Sequence, residues 1–257
     1  MMRVAAVGDI HLGIECVGKV RPLYADIADE ADVLLLAGDL TRLGTPEEAA
    51  VVAAELGALA VPTVAVLGNH DHHANAAAAV RTRLADAGIT VLEGAATVIE
   101  AHGERLGIAG AKGFGGGFKG ACATEFGEPE MKAFVRHTKD VAVALGSALA
   151  GLDADHRVCL LHYAPTETTL AGEPAAIHPF LGSYLLGEAV DGEPGTPARA
   201  ELVVHGHAHR GSERGETEGG VAVRNVAQPL IRRPYRVFCL GTDPLRDAAP
   251  GRPASVR

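Results

Sequence analysis

Cysteine is scarce in this 257-residue chain: four residues, at 16, 122, 159 and 239, with no Cys-x-x-Cys spacing. Cys159 and Cys239 lie inside apolar, strand-like runs. Both facts speak against a disulfide scaffold and for buried or incidental thiols in a reducing compartment. Long apolar runs are missing too, and none suffices to span a bilayer as a helix. Met1-Met2-Arg3 passes straight into a strand pattern without a charged leader or cleavage site, so a cytoplasmic location and no membrane contact are expected. Basic charge is short: 23 Lys and Arg stand against 32 Asp and Glu, a formal net charge of −9. Such a surface repels a polyphosphate backbone, and nonspecific nucleic-acid binding is disfavoured. Internal repeats, a coiled coil and an interdomain linker are also lacking. One domain over 1–242 is expected, followed by a Pro-, Arg- and Ala-rich tail over 243–257 that reads as disordered.

Against these absences stands a 47% apolar composition, enough for a chain of this length to bury roughly three-quarters of its unfolded surface in one core. Much of it falls in short runs that stop on cation-binding residue types. The run 33–37 stops at Gly38-Asp39 and the run 4–7 at Gly8-Asp9-Ile10-His11. Residues 64–67 lead to Gly68-Asn69-His70-Asp71, 158–161 to His162, and 202–204 to His205-Gly206-His207-Ala208-His209. Sites of open α/β folds form at such strand ends. Residues i and i+2 of an extended segment share a face, so Asp9 and His11 can grip one cation while Ile10 points into the core. The five ends are expected to meet, with Asp39 shared between two cations.

Up to about residue 90 the pattern alternates strand and helix, as in βαβ units with parallel strands. Thr45-Pro46-Glu47-Glu48 is a helix start with Thr45 as cap, and the helix is expected to run through Ala60. Asn75 is expected to cap a second, Ala-rich helix ending near Gly88. Residues 89–92, 97–101 and 105–109 then read as mostly antiparallel strands. The stretch 110–120 is too rich in glycine to be regular. It is either a flexible surface connection or a loop over the site, offering Lys112 or Lys119 to a phosphate and Phe114 or Phe118 to a base or apolar group. Residues 128–149 form the longest helix candidate. The stretch 164–199, interrupted by five prolines, is expected to be a long substrate-selecting loop. Strands over 221–226 and 235–240 complete the domain.

The order Asp9-x-His11, Gly38-Asp39, Gly68-Asn69-His70-Asp71, His162, Gly206-His207-x-His209 resembles the pattern of the calcineurin-like metallophosphoesterases, and the resemblance extends from residue 3 to about 240. It implies an α/β fold: a four-layer α-β-β-α sandwich of two mixed β-sheets flanked by helices, with a metal site at the strand ends. It also implies two divalent metal ions, one held by Asp9, His11, Asp39 and His209, the other by Asp39, Asn69, His162 and His207. Mixed imidazole and oxygen donors suit Mn²⁺, Fe or Zn²⁺ better than Mg²⁺ or Ca²⁺. The implied activity is phosphate-ester hydrolysis by a water deprotonated between the two ions. His70 would protonate the leaving oxygen. Asp71 either orients His70 or raises its pKa, or else serves as a helix cap or turn residue.

Within that family, Gly38-Asp39-Leu40-Thr41 and Gly68-Asn69-His70-Asp71 look most like bacterial phosphoesterases related to class III cyclic-nucleotide phosphodiesterases, although Arg42 stands where an acid is common. The expected substrate is a small phosphate ester, cleaved by a phosphodiesterase or phosphomonoesterase activity. The alternatives are an exonuclease on the same fold, for which no basic groove is visible, and a noncatalytic interaction module, in which ligand histidines are replaced. Arg42, Lys112 and His178 are the candidate substrate contacts. His72 and His73 read as a solvated helix start, and His205 as a strand-end residue, with a supporting role at the site as the lesser alternative.

Overall fold

Short runs that are apolar at every position can leave neither face to water, and here they form the central strands of two covered sheets. The computed structural model describes residues 1–192 and 199–242, together with the backbone of 246–247. Its strands are β1 (Arg3–Val7), β2 (Val33–Ala37), β3 (Thr63–Val66), β4 (Thr90–Val91), β5 (Ala95–Ala101), β6 (Glu104–Ala111), β7 (Gly117–Phe118), β8 (Ala121–Cys122), β9 (His156–Leu161), β10 (Leu202–His205), β11 (Arg214–Glu216), β12 (Ala222–Asn225), β13 (Arg236–Cys239) and β14 (Arg246–Asp247). The helices are α1 (Ile27–Glu30), α2 (Pro46–Leu56), α3 (Ala77–Asp86), α4 (Pro129–Ala150), α5 (His178–Leu181), α6 (Tyr184–Asp191) and α7 (Gln228–Ile231).

One sheet has the order β14-β13-β1-β2-β3-β4 and the other β11-β12-β10-β9-β6-β5, while β7 and β8 pair as a separate ribbon. Both sheets are mixed. Parallel β1, β2, β3 and β4 carry the antiparallel β13, and parallel β6, β9, β10 and β12 lie between antiparallel β5 and β11.

The two-residue period of each strand sorts the core into three layers. Val4, Ala6, Leu35 and Val64 meet Ile108, Val158, Leu160 and Val204 between the sheets. Ala5, Val7, Leu34 and Leu36 turn the other way, onto Val52, Leu56, Val80 and Leu84 of α2 and α3. Cys159, Leu161 and Val203 face Leu145, Leu149, Leu186 and Val190 of α4 and α6. The result is the α-β-β-α sandwich that the sequence resemblance implies.

Several local expectations need correction. The Thr45 hydroxyl caps α2 through the Glu48 N–H at 3.2 Å, but the helix stops at Leu56, where Gly57 passes against Ala87 at the end of α3. Asn75 does not cap α3: it adopts φ 55°, and Ala76 occupies the cap position without a side-chain bond. Residues 89–92 do not belong with the antiparallel strands. β4 pairs parallel to β3, because α3 completes one more strand-helix-strand crossover of the first sheet. The stretch 164–199 is not all loop either. Ser183 accepts from the Leu185 N–H at 3.2 Å and starts α6, whose Leu186 and Val190, one turn apart, bury against α4.

Pro194, Pro197 and the expected disordered tail lie outside the described residues, apart from Arg246 and Asp247, whose backbone pairs antiparallel with β13. Among the described residues no helix is long and apolar enough to cross a membrane.

Candidate metal centre

Parallel neighbours end on the same side of a sheet, so β1, β2 and β3 deliver Asp9 and His11, Asp39, and Asn69 and His70 to one edge. In the facing sheet β9 and β10, also parallel, deliver His162, His207 and His209. Backbone bonds zip the first two loops together: Asp9 N–H donates to Gly38 O at 2.9 Å and His11 N–H to Asp39 O at 3.0 Å. Asp9, His11, Asp39 and His207 all take left-handed φ values of 56°, 43°, 51° and 70°. Such conformations cost roughly 1–3 kcal/mol each in non-glycine residues and persist where the surroundings impose them. Two glycines answer a different need. A Cβ on Gly68 would sit 2.1 Å from Asp39 Oδ1, and one on Gly206 would sit 2.2 Å from Asp9 Oδ2.

At the centre the two Asp39 oxygens look different ways. Oδ1 lies 3.4 Å from His162 Nε2, and Oδ2 lies 3.8 Å from His11 Nε2. Around them, donor atoms of Asp9, His11 and His209, of His11, Asp39 and His70, and of Asp39, His162 and His207 fall into groups within 4.8 Å. His209 Nε2 and Asp9 Oδ1 face each other at 2.9 Å.

Proton placement tests whether this is a cation site. His162 Nδ1 lies 2.9 Å from Ala37 O, a pure acceptor, so the ring proton sits on Nδ1 and Nε2 bears a lone pair. That lone pair points at Asn69 Oδ1, 2.9 Å away, and at Asp39 Oδ1, and the His162 ring is fully buried. Buried acceptors facing one another are costly unless a cation lies between them, and the donor set fits one. His207 tells the same story. Its Nε2 is 3.4 Å from Phe180 O, which places the proton on Nε2 and leaves Nδ1 with the free lone pair, and burial pushes its pKa down to about 3. Burial acts to raise Asp9, yet the bonds from the His209 side chain and the His207 backbone N–H hold its carboxyl below the usual range.

The remaining expected residues fall around this centre in ways the sequence did not show. His70 Nε2 lies 4.0 Å from Asp39 Oδ2, at the rim, but its orienting partner is not Asp71. His70 Nδ1 instead donates to Arg42 O at 2.8 Å. Asp71 is fully buried and accepts from Leu40 N, Thr41 N, Thr41 Oγ1 and Gly68 N, so it staples the β2 and β3 loops together. The Arg42 guanidinium pairs with Glu15 on the exposed side of its loop. His178 is held inside the insert by Glu167 Oε1 at 2.8 Å and Glu173 O at 3.3 Å. His205, fully buried, bonds Gly206 O and Thr169 Oγ1, anchoring the insert to β10. Lys112 does reach the wall of the site, and burial pulls its ammonium pKa down against the opposing charges of Glu93 and Asp39.

Tyr163 was overlooked. Its ring centroid lies 4.4 Å from that of His207, and its position directly after His162 was the available signal.

A double-sheet sandwich that gathers two carboxylates, an amide and four imidazoles at one shared edge is of the class whose site is able to hold metal. Residues 2–211 match the calcineurin-like phosphoesterases, and the chain belongs to that family. It is accordingly a phosphoric ester hydrolase. Among solved structures it is similar to a phosphopantetheinyl hydrolase (PptH) from Mycobacterium tuberculosis, with a TM-score of 0.61 at 16% identity over 97% of this chain and 96% of that one. It is also similar to the protein TT1561 of Thermus thermophilus, with a TM-score of 0.55 at 17% identity over 96% of this chain and 97% of that one. At such identities the likeness concerns the fold. No curated protein shows significant sequence similarity to the chain.

Proposed function

We propose that the protein hydrolyses a small phosphate ester or diester, with Asp9, His11, Asp39 and His209 holding one divalent cation and Asp39, Asn69, His162 and His207 the other. The observation that carries this reading is Asp39, whose two oxygens each face a separate group of imidazole donors. When bound, a pair of cations supplies Lewis-acid stabilisation of phosphoryl charge and an acidified water. The donor mix of imidazole and oxygen supports Mn²⁺, Fe or Zn²⁺ as the occupants.

The chain's own residues do the rest. Because the Nδ1–H of His70 donates to Arg42 O, Nε2 faces the centre, and the ring in its imidazolium form, with a proton on each nitrogen, hands the Nε2 proton to the leaving oxygen and is left as the neutral Nδ1–H tautomer. Asp71 keeps the two loops in register so that Asn69 and Asp39 stay opposite His162. All four cysteines are free thiols, which supports a reducing, cytoplasmic setting.

The experiment is metal stripping and reconstitution with Mn²⁺, Fe²⁺ or Zn²⁺, followed by assay on bis-p-nitrophenyl phosphate and p-nitrophenyl phosphate. The wild type is expected to bind two metal equivalents and turn over. Asp39→Asn should lose both metals and activity. No hydrolysis of either ester with any of the three metals would refute the proposal.

A further inference from the structure

The wall beside His207 contains a cation for which the chemistry above has no use. Lys112 directly follows β6, and its carbonyl accepts the N–H groups of His162 and Tyr163, both at 3.0 Å, which fixes its backbone to the segment carrying a central imidazole. Its ammonium donates to Gly113 O at 3.1 Å and lies 4.9 Å from the Phe114 ring centre and 5.1 Å from that of Tyr163. Phe114 is itself braced by Phe134 at 5.1 Å and His137 at 4.6 Å, so the cradle is rigid. Tyr163 packs on His207, which puts the ammonium one aromatic ring away from the Asp39, His162 and His207 group. The Lys112 charge is felt at His72 as well, on the loop that carries Asn69 and His70.

Aromatic faces hold an ammonium through their quadrupoles without cancelling its charge, whereas a carboxylate partner would neutralise it. Among the described residues this ammonium forms no ion pair. Glu93, whose charge reaches it, accepts from the Lys112 backbone N–H at 3.4 Å instead. A half-buried cation held in this way feels Glu93 and Asp39 only at a distance, and an arriving anion would be its first directly contacting counter-ion. We propose that Lys112, cradled by Phe114 and Tyr163, binds a second phosphate group of the substrate, so that the protein prefers compounds carrying two phosphates over those carrying one. This rests on the phosphoesterase reading for its biological sense, but its test requires no turnover.

The test is isothermal titration of the metal-reconstituted protein with adenosine 3′,5′-bisphosphate and with AMP. The wild type should bind the bisphosphate at least about tenfold more tightly, the value of one charge-assisted contact. Lys112→Met and Lys112→Gln should both cut that preference below about threefold, while Lys112→Arg keeps most of it. Equal affinity of the wild type for the two ligands would overturn the proposal. So would neutral variants that weaken both ligands by one common factor and leave the preference intact. A wild type that shows the preference yet cleaves no ester would sink the hydrolase reading and leave this binding site standing.

Discussion

Replacing Asp71 by asparagine separates two accounts of a buried carboxylate. Its Oδ1 accepts from Thr41 N at 2.8 Å and Thr41 Oγ1 at 2.6 Å, and its Oδ2 from Leu40 N at 3.2 Å and Gly68 N at 2.8 Å. A carboxylate can satisfy all four donors. In Asp71→Asn one oxygen becomes an NH₂ that accepts from none. The amide will turn its NH₂ toward Thr41, whose hydroxyl can rotate to accept, so the loss falls on the Thr41 backbone bond and the charge that strengthened the others. Bonds to charged groups contribute about 1.5–3 kcal/mol, and an unpaired buried donor adds about 1–3 kcal/mol. A loss of about 3 kcal/mol is therefore expected, a large share of a typical total of about 5–15 kcal/mol.

Urea unfolding followed by circular dichroism reads this as a lower midpoint at unchanged slope. Turnover per bound metal pair, and the position of the acid limb in its pH profile, should stay where they are in the wild type. The reasoning fails if Asp71→Asn unfolds within about 0.5 kcal/mol of wild type while its acid limb moves. Asp71 would then act on the proton chemistry of His70.

Gly68→Ala would press a methyl group to within 2.1 Å of Asp39 Oδ1 and 2.2 Å of Asp39 N, and since backbone cannot give way the central carboxylate must shift; elemental analysis should find tightly bound metal lost, and full metal content would count against the packing argument. His70→Ala should keep its metals and lose about a hundredfold or more in kcat on alkyl phosphate esters, less on p-nitrophenyl esters that need no acid. Alkyl ester hydrolysis at the wild-type rate would remove His70 from the mechanism. His205 makes a pH prediction. Burial holds its folded pKa at about 4, against 6.5 ordinarily. The unfolded chain therefore binds the proton first, and the stability His205 contributes is complete above pH 6.5 and lost as pH falls toward 4, by on the order of 3 kcal/mol. His205→Gln should flatten that part of a urea-midpoint profile, and an identical slope in the variant would show that another group carries it.

The sheets were legible because burial on both faces forces a nearly all-apolar composition, as in Val33–Ala37, and a Gly-Asp or Gly-Asn ending marks where such a strand leaves the core. Periodicity was less informative where an element's partner decides its state. Thr90 and Val91 could pair with either neighbour, and only the crossover through α3 puts them beside β3. The prolines of the 164–199 stretch concealed α6, whose stability comes from Leu186 and Val190 packing on α4 rather than from its own sequence. At the site, the residue types with metal-binding chemistry were visible as a set, and the fold brings them to one edge.

The amino-acid order alone determined which side chains could take part, because the strand that carries each of them is written in consecutive residues. Tertiary structure decided what each of them does. His162 turns its lone pair inward because Ala37 O, 125 positions away, accepts the hydrogen bond from its Nδ1–H. Asp71 is occupied by Leu40, Thr41 and Gly68 rather than by the adjacent His70, and Lys112 stands beside His207 only because Tyr163 bridges them. Hydrogen-bond direction and charge compensation depend on neighbours that meet across loops, and no run of adjacent residues records them.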